Sequence, residues 1–318
     1  MKILVLSHSW DDHLSLVVPH LEGREFVLYS DKSFTFHFDP KLMELLLIQE
    51  DRRLQLSEIS SVWNRRAFSI PGKEQPHQRF TRLETKACVL ESLVNAIPFE
   101  CWINHPDAIQ GARDKTRVLN YARQCGLRCP EWIVSNKTDC ILDFSNKMGG
   151  WVVLKPLVSV PDVIDFLPTL LYARPISEKE LRDRLSEKFI FPIFVQQRIK
   201  KSADWRITIV DNHISSVRMT GCPIESLDFR RSYDTLKYEN RLLRNDILIS
   251  TRKLMAMLRL RYGAIDMVED EETKELYFLE INVGGQFGWM EEAAGLGGQS
   301  SFSKSLAKAL LSNTQASS

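Results

Sequence analysis

Two acidic residues and one amide residue near the end of the chain have the spacing of a metal site. Asp266 lies in the run Tyr-Gly-Ala-Ile-Asp-Met-Val, and Glu280 and Asn282 lie in Leu-Tyr-Phe-Leu-Glu-Ile-Asn. Residues two apart on a strand point to the same face, so Glu280 and Asn282 point together. A hairpin turn near residues 272–273 would put Asp266 across from Glu280. The sequence therefore predicts that two carboxylates and one carboxamide converge.

This triple is typical of a Mg²⁺ site, because hard oxygen ligands on a rigid sheet suit an ion held between protein and phosphates. In the same strand, Leu279 and Ile281 are expected to face the other way. The alternative is a solvent-facing polar edge of a hairpin. Acids inside an apolar strand are costly without a partner, which favours the metal site.

Two lysines are candidates for phosphate contacts. Lys155 ends the apolar strand Val152-Val153-Leu154, and Lys115 opens a helix that begins at Asp114. A cation at a strand end or at the start of a helix can reach phosphate oxygens. An exposed or snorkelling lysine is the alternative for each of them.

Further polar residues follow the next strands. Gln196, Gln197 and Ile199 lie at the end of an apolar strand, where backbone groups of a hinge can meet adenine; an ordinary strand end is the alternative. Asp204 and Arg206 flank Trp205 on one strand face, as an ion pair or as contacts for ribose and an anionic intermediate.

A basic pair, Arg230-Arg231, lies further along in Asp-Phe-Arg-Arg, where Arg230 is a candidate contact for a substrate carboxylate. A solvated loop explains this pair equally well.

Composition narrows the class of protein. The chain has 318 residues, 44% hydrophobic and 26% charged, with a formal net charge of +1. These values are typical of a globular protein of about two domains, with no broad nucleic-acid or membrane-surface footprint. No apolar stretch approaches a membrane span. The six cysteines form no Cys-x-x-Cys pair, so we expect reduced thiols and a cytoplasmic protein.

The elements that must position these residues alternate between strands and helices. Met1–Leu6, Phe26–Tyr29 and Val62–Asn64 are predicted strands of a small α/β domain. A long helix is predicted over residues 78–97, and another over residues 108–125. The apolar stretch Leu42–Ile48 is either a buried helix or a subunit interface.

In their order along the chain, several motifs resemble the ATP-grasp superfamily, in particular the peptide-modifying ligases of the microviridin or graspetide type. The ribosomal-protein S6 glutamate ligase is a wider relative. The motifs that carry the resemblance are Trp63-Asn64-Arg65-Arg66, Trp102-Ile103-Asn104-His105-Pro106, Ala112-Arg113-Asp114-Lys115, Leu154-Lys155-Pro156-Leu157, Gln196 to Ile199, Asp204-Trp205-Arg206, Asp228-Phe229-Arg230 and Glu280-Ile281-Asn282 with Gly285-Gln286-Phe287-Gly288-Trp289. The last block is long and specific.

The resemblance implies an α/β fold of the α+β ATP-grasp type. A small N-terminal α/β pre-grasp domain (1–105) would precede two α+β subdomains (106–193 and 194–318) that clasp ATP. It also implies an ADP-forming ligase whose Mg²⁺ is held by Asp266, Glu280 and Asn282. The expected partner is a precursor peptide with a leader segment, whose acidic side chains are joined to hydroxyl or amine side chains. Relatives of this type are commonly dimers or tetramers, so a homo-oligomer is expected.

The sequence departs from the family pattern at three points. Gln197 stands where the hinge usually has Glu, Val283 stands where Pro is usual, and no glycine occurs between Gly150 and Gly221 to support a phosphate loop. Two alternatives therefore stay open. The protein adds free amino acids to a protein terminus or small molecule, or it binds nucleotide or peptide without turnover.

Overall fold

In the computed structural model, the described residues are 1–68, 74–155, 157, 174–185, 192–221, 236–293, 295 and 301–312. The strands are β1 Lys2–Ser7, β2 Glu25–Tyr29, β3 Thr35–Asp39, β4 Glu44–Gln49, β5 Arg52–Gln55, β6 Ile59–Asn64, β7 Trp102–Ile103, β8 Trp132–Ser135, β9 Trp151–Lys155, β10 Arg174–Ser177, β11 Ile193–Gln197, β12 Lys201–Val210, β13 His213–Thr220, β14 Lys237–Asn240, β15 Tyr262–Asp270 and β16 Leu276–Asn282. The α-helices are α1 His13–Val17, α2 Pro76–Ala96, α3 Pro106–Ala112, α4 Lys115–Gln124, α5 Thr138–Lys147, α6 Glu178–Leu185, α7 Asn245–Met257, α8 Gly288–Ala293 and α9 Phe302–Ser312.

The first sheet is parallel, in the order β2-β1-β6-β7. Its central strand buries Ile3, Leu4, Val5 and Leu6 completely, because both faces of the sheet are covered. One face packs against α2 and the small antiparallel sheet β3-β4-β5. The other face packs against α1 and α9. The three predicted strands near the start of the chain therefore belong to one parallel sheet.

The second sheet is antiparallel, in the order β10-β9-β11-β8. Alternation along its strands sends Val152, Leu154 and Val195 into a core with α5 and α6. The next residues along these strands, Lys155 after Leu154 and Gln196 after Val195, therefore lie on the opposite face.

The third sheet is antiparallel, in the order β14-β13-β12-β15-β16. Trp205, Ile207 and Ile265 point to one face and pack against α4 and α7. The residues between them point to the other face, so Arg206 and Asp266 lie on the same side of the sheet.

The structure corrects two sequence-based expectations about elements. Leu42–Ile48 is not a helix: residues 44–49 form β4, which buries Leu45 and Leu47. The predicted helix over 108–125 is two helices, α3 and α4, and the second begins at Lys115, where the sequence also indicated a helix start. The side chain of Asp114 accepts a hydrogen bond from the backbone N–H of Arg117 (3.0 Å) and begins the second helix.

None of the described helices is both long enough and apolar enough to cross a membrane.

Candidate active site

The acidic pair of the last hairpin meets as the sequence predicts. In the β15–β16 ladder Asp266 is paired with Glu280, and Ala264 with Asn282. The amide nitrogen Nδ2 of Asn282 lies 3.0 Å from Oδ2 of Asp266 and 3.4 Å from Oε1 of Glu280. The three side chains are partly exposed, so they face an open space and not the core. Two carboxylates and one amide therefore converge.

A bulge at the centre of this hairpin changes one expectation. The register shifts between Asp266 and Met267, which leaves Leu279 without a partner across the ladder. Ile281 is buried in the core, but Leu279 lines a cavity beside Glu280. The expectation that Leu279 faces away from the acids is wrong, because a bulge breaks the two-residue alternation.

Arg206 neutralises part of this acidic charge. It lies opposite Asp266 in the β12–β15 ladder, and its Nε is 3.1 Å from Oδ1 of Asp266. The side chain of Arg206 is 6% exposed, so the pair is shielded from water. A guanidinium in this position can hold the acids in place before a metal arrives, or contact an anion beside them.

The two predicted lysines both interact electrostatically with Glu280. Lys155 ends β9 and Lys115 begins α4. The pKa of both ammonium groups is lowered by burial, and the negative charge of Glu280 offsets part of that decrease. The pKa of Lys155 is also lowered by Lys115 and raised by Asp266. Both lysines therefore lie within electrostatic reach of Glu280, although they are on different elements.

These elements surround a cavity of about 920 Å³. This volume is in the upper part of the range for small-molecule sites, roughly 300–1,000 Å³. Its lining comes from the start of α4, the end of β16, the turn that follows it and three arginines; it includes Lys115, Glu280, Asn282, Gly284, Gly285, Arg66, Arg113 and Arg206. Among the described residues no three His, Cys, Asp or Glu side chains form a metal cluster, so the carboxylate–amide set is the candidate.

The hinge residues differ in what they offer. Gln196 is 1% exposed, and its Nε2 has no hydrogen-bond partner within the described ranges. Gln196 lies opposite Val153 on β9, two residues before Lys155. A buried donor of this kind is costly unless a ligand accepts its hydrogen bond. Ile199 follows in the half-buried link to β12.

Two residues that were predicted to contact the nucleotide, Gln197 and Asp204, are bonded to other residues of the protein. Gln197 Oε1 accepts a hydrogen bond from Glu131 N (3.1 Å), and Gln197 N donates to Glu131 O (2.7 Å). Asp204 forms a buried ion pair with Lys201, whose Nζ is 2.7 Å from Oδ2. Arg230 lies outside the described residues.

A buried polar network beside the cavity was missed by the sequence analysis. Arg65 donates to the carbonyl oxygens of Gly284 (2.7 Å) and Gly285 (3.0 Å), and its Nε lies 3.1 Å from Asp11 Oδ2. The sequence flagged Arg65 only through a motif resemblance. No local pattern linked it to a turn more than 200 residues away.

No protein-family model and no curated protein matches this sequence. Solved structures do match. The macrocyclase MdnC bound with precursor peptide MdnA from Microcystis aeruginosa MRC is 23% identical with a TM-score of 0.81; the match covers 98% of this chain and 99% of that one. A Chryseobacterium gregarium RiPP-associated ATP-grasp ligase, in complex with ADP and a leader and core peptide, is 22% identical with a TM-score of 0.83, covering 98% and 96%.

A third match is the ATP-grasp ligase PsnB complexed with minimal precursor, Mg and ADP. It is 18% identical with a TM-score of 0.74, covering 98% of this chain and 97% of that chain. These likenesses extend over nearly the whole length of each chain. The fold of this protein is therefore the ATP-grasp fold, as the motifs predicted.

Proposed function

We propose that the protein is an ATP-dependent, ADP-forming ligase that activates the acidic side chains of a precursor peptide and joins them to hydroxyl or amine side chains. The observation that carries the proposal is the convergence of Asp266, Glu280 and Asn282 in an ATP-grasp fold, beside a cavity that Lys115, Glu280 and Asn282 line. Similar structures that were solved with ADP and peptides give further support.

The residues fit Mg²⁺ and ATP. Asp266, Glu280 and the carbonyl oxygen of Asn282 are the hard oxygen donors that Mg²⁺ prefers. The amide of Asn282 now points its nitrogen at both acids, so ligation through its oxygen would follow a flip of that amide. The unpartnered Nε2 of Gln196 fits a nitrogen acceptor of adenine. Bound Mg²⁺ supplies a positive charge that offsets the charge of the phosphates.

In the proposed reaction, a substrate carboxylate attacks the γ-phosphate of ATP, giving an acyl phosphate and ADP. A hydroxyl or amine then attacks the acyl carbon, and phosphate leaves. Lys115 and Lys155 neutralise phosphate charge, and Arg206 steadies the acyl phosphate. Phosphoryl transfer depends mainly on such positioning and charge stabilisation. Arg230 remains the candidate contact for the substrate carboxylate.

Two further proposals rest on the family resemblance: a homodimer or homotetramer, and domain boundaries near residues 105 and 193. A cytoplasmic location is proposed from the cysteines, which form no Cys-x-x-Cys pair. Asp204, Gln197 and Ile199 remain proposed nucleotide contacts, but Gln197 and Asp204 would first have to leave the partners that hold them.

The metal site is tested by two isosteric changes. Asp266→Asn and Glu280→Gln are expected to lower ATP turnover by about 100-fold or more, because several kcal/mol of charge stabilisation is lost. Glu272→Gln is the matched control, since Glu272 is an exposed acid in the turn of the same hairpin. Circular dichroism should show that all three variants are folded. Full turnover in the Asp266 or Glu280 variant would refute the assignment.

Mass spectrometry distinguishes the reaction types. The protein would be co-expressed with a short Thr-, Asp- and Glu-rich peptide encoded beside its gene. Loss of one water mass per bond indicates macrocyclisation, as proposed. A gain in mass indicates amino-acid addition. An unchanged peptide together with absent ADP release indicates a binding protein and contradicts the proposal.

A further inference from the structure

The turn that follows the metal strand is held by side chains of the N-terminal sheet. Arg65 and Arg66 come directly after β6, and both donate to the turn: Nη1 of Arg65 to Gly284 O and Gly285 O, and Nη2 of Arg66 to Gly284 O (3.2 Å). The turn lies more than 200 residues further along the chain. Its position therefore depends on a part of the molecule that contributes none of the proposed metal ligands.

Arg65 is itself fixed by a buried carboxylate. Asp11 follows β1, and its Oδ2 lies 3.1 Å from Nε of Arg65 and accepts a hydrogen bond from the hydroxyl of Ser7 (3.1 Å). Burial acts to raise the pKa of Asp11, but hydrogen bonds from His13 and the charge of Arg65 hold it well below its usual range. Asp11 is therefore a charged group in the interior, bound on two sides.

His13 brings the same network to the far end of the turn. Its Nδ1 lies 3.1 Å from Oδ1 of Asp11, and its Nε2 accepts hydrogen bonds from the backbone N–H groups of Phe287 (3.1 Å) and Gly288 (3.3 Å). Burial lowers the pKa of His13, which favours the neutral ring that this acceptor role needs. Arg65 and His13 thus form hydrogen bonds to the two ends of the turn, and Asp11 holds both of these side chains.

This turn also fixes the position of the C-terminal end of β16. Gly285 N donates to Asn282 O (3.2 Å), and the hydroxyl of Tyr262 donates to Gly285 O. A shift of Gly284 and Gly285 would therefore move Asn282 relative to Asp266 and Glu280. Burying charged side chains costs free energy of desolvation. Their hydrogen bonds, however, fix the orientation of the two parts relative to each other, which apolar packing does not.

We propose that Asp11, His13 and Arg65 form a positioning network through which the N-terminal sheet places Asn282 for Mg²⁺ binding. This inference rests on the proposed function, since it assigns the network to the metal end of the nucleotide site. Its consequence is specific. Loss of the network should weaken the contribution of Mg²⁺ to nucleotide affinity and leave the hinge contacts of the adenine unchanged.

The test measures ADP affinity by calorimetry, once with Mg²⁺ and once with EDTA, for the full chain and three variants. Arg65→Lys keeps the charge but cannot donate to Asp11 and both carbonyls together. His13→Phe keeps the ring and its packing on Phe287 but removes the acceptor of the two N–H groups. Leu54→Ala is the control, because Leu54 is a fully buried core residue of the same N-terminal unit, in the cluster that packs away from the turn.

We expect Mg²⁺ to strengthen ADP binding in the wild type. The two network variants should lose about 10-fold or more of that gain, because each removes hydrogen bonds of the buried network that hold the turn in place. Their affinity in EDTA should change by less than about 3-fold, and Leu54→Ala should keep the full gain. If Arg65→Lys does not fold, His13→Phe decides.

Two results would overturn the inference alone: the Mg²⁺ gain survives in the folded network variants, or Leu54→Ala loses as much of it. A wild-type protein that binds ADP no better with Mg²⁺ than with EDTA would contradict the proposed function and this inference with it.

Discussion

The charges around the cavity are arranged for a ligand that carries negative charge. Lys115, Lys155 and Arg206 face Asp266 and Glu280, and burial lowers the pKa of both lysines. Desolvation therefore makes their charged forms costly. A polyphosphate with its divalent cation would offset the charges of the lysines and of the acids, which is the physical reason for binding here.

Gln196 gives the sharpest prediction at the scale of single residues. Gln196→Met keeps the size of the side chain and removes a buried amide whose Nε2 has no partner in the described structure. We expect ADP affinity to fall about 10-fold, the effect of one lost hydrogen bond of about 1.4 kcal/mol. Stability should stay the same or rise, because the orphaned donor is gone.

Calorimetry with ADP and urea unfolding measure these two quantities. Gln197→Met is the neighbouring control, since it breaks a bond to the Glu131 backbone and should lower stability more than affinity. Unchanged ADP affinity in Gln196→Met would remove Gln196 from the adenine site.

Some residue contacts follow from the sequence, and others do not. The pairing of Asp266 with Glu280 could be predicted from strand alternation and a turn position. The pair Lys201–Asp204 could not. Residues three apart on a regular strand point to opposite faces, but the register of β12 shifts between Lys201 and Ala203. Such a bulge leaves no clear mark in a single sequence.

At the scale of elements, two irregular features shape the site. The bulge at Leu279 turns that side chain to the cavity, and the turn at Gly284 and Gly285 closes against β15. A Cβ on Gly285 would lie 2.3 Å from the Cβ of Ala264, whereas on Gly284 it would lie 3.5 Å from the nearest atom, Arg65 O. Of these two residues of the turn, Gly285 is therefore the one that requires glycine for close packing.

These two glycines form a matched pair of variants. Gly285→Ala should destabilise the protein by about 1–3 kcal/mol, the usual cost of overpacking, and weaken Mg²⁺-dependent ADP binding. Gly284→Ala should be nearly neutral in both respects. Urea unfolding and calorimetry measure the outcomes. Equal effects of the two substitutions would mean that the close approach of the turn to β15 is unimportant.

Elements with regular periodicity were predicted well, including β1, β6 and the β15–β16 hairpin. The hairpin β3–β4 was missed because Leu45-Leu46-Leu47-Ile48 is a continuous apolar run, which does not distinguish a strand from a buried helix. The break between α3 and α4 depends on Asp114 as an N-cap, a signal that lies inside an otherwise helical pattern.

At the scale of the whole molecule, the N-terminal sheet and the third sheet share one core. Val5, Trp63 and Ile103 of the N-terminal sheet belong to the same buried cluster as Tyr262 and Leu306. The C-terminal helix α9 therefore covers the sheet that begins the chain. This arrangement explains how residues from the first strands reach a turn that follows β16.

Buried histidines predict how global stability depends on pH. Burial lowers the pKa of His8, His13, His105 and His213 below the ordinary value of 6.5. Between the folded and unfolded pKa values the unfolded chain binds more protons, so the free energy of unfolding decreases as pH falls through 6.5. Urea unfolding at pH 7.5, 6.5 and 5.5 should show a progressive loss.

His13→Phe should make this loss smaller, because one of the four groups no longer titrates. A free energy of unfolding that stays constant or increases between pH 7.5 and 5.5 would contradict the buried, neutral state of these rings.

The central claim is tested most directly by a crystal structure of the protein with Mn²⁺ and the non-hydrolysable nucleotide AMPPNP. We predict an anomalous peak within about 2.5 Å of carboxylate oxygens of Asp266 and Glu280. The phosphates should lie near Lys115 and Lys155, and the adenine near Gln196. A nucleotide bound elsewhere, or a manganese ion that touches neither Asp266 nor Glu280, would contradict the account.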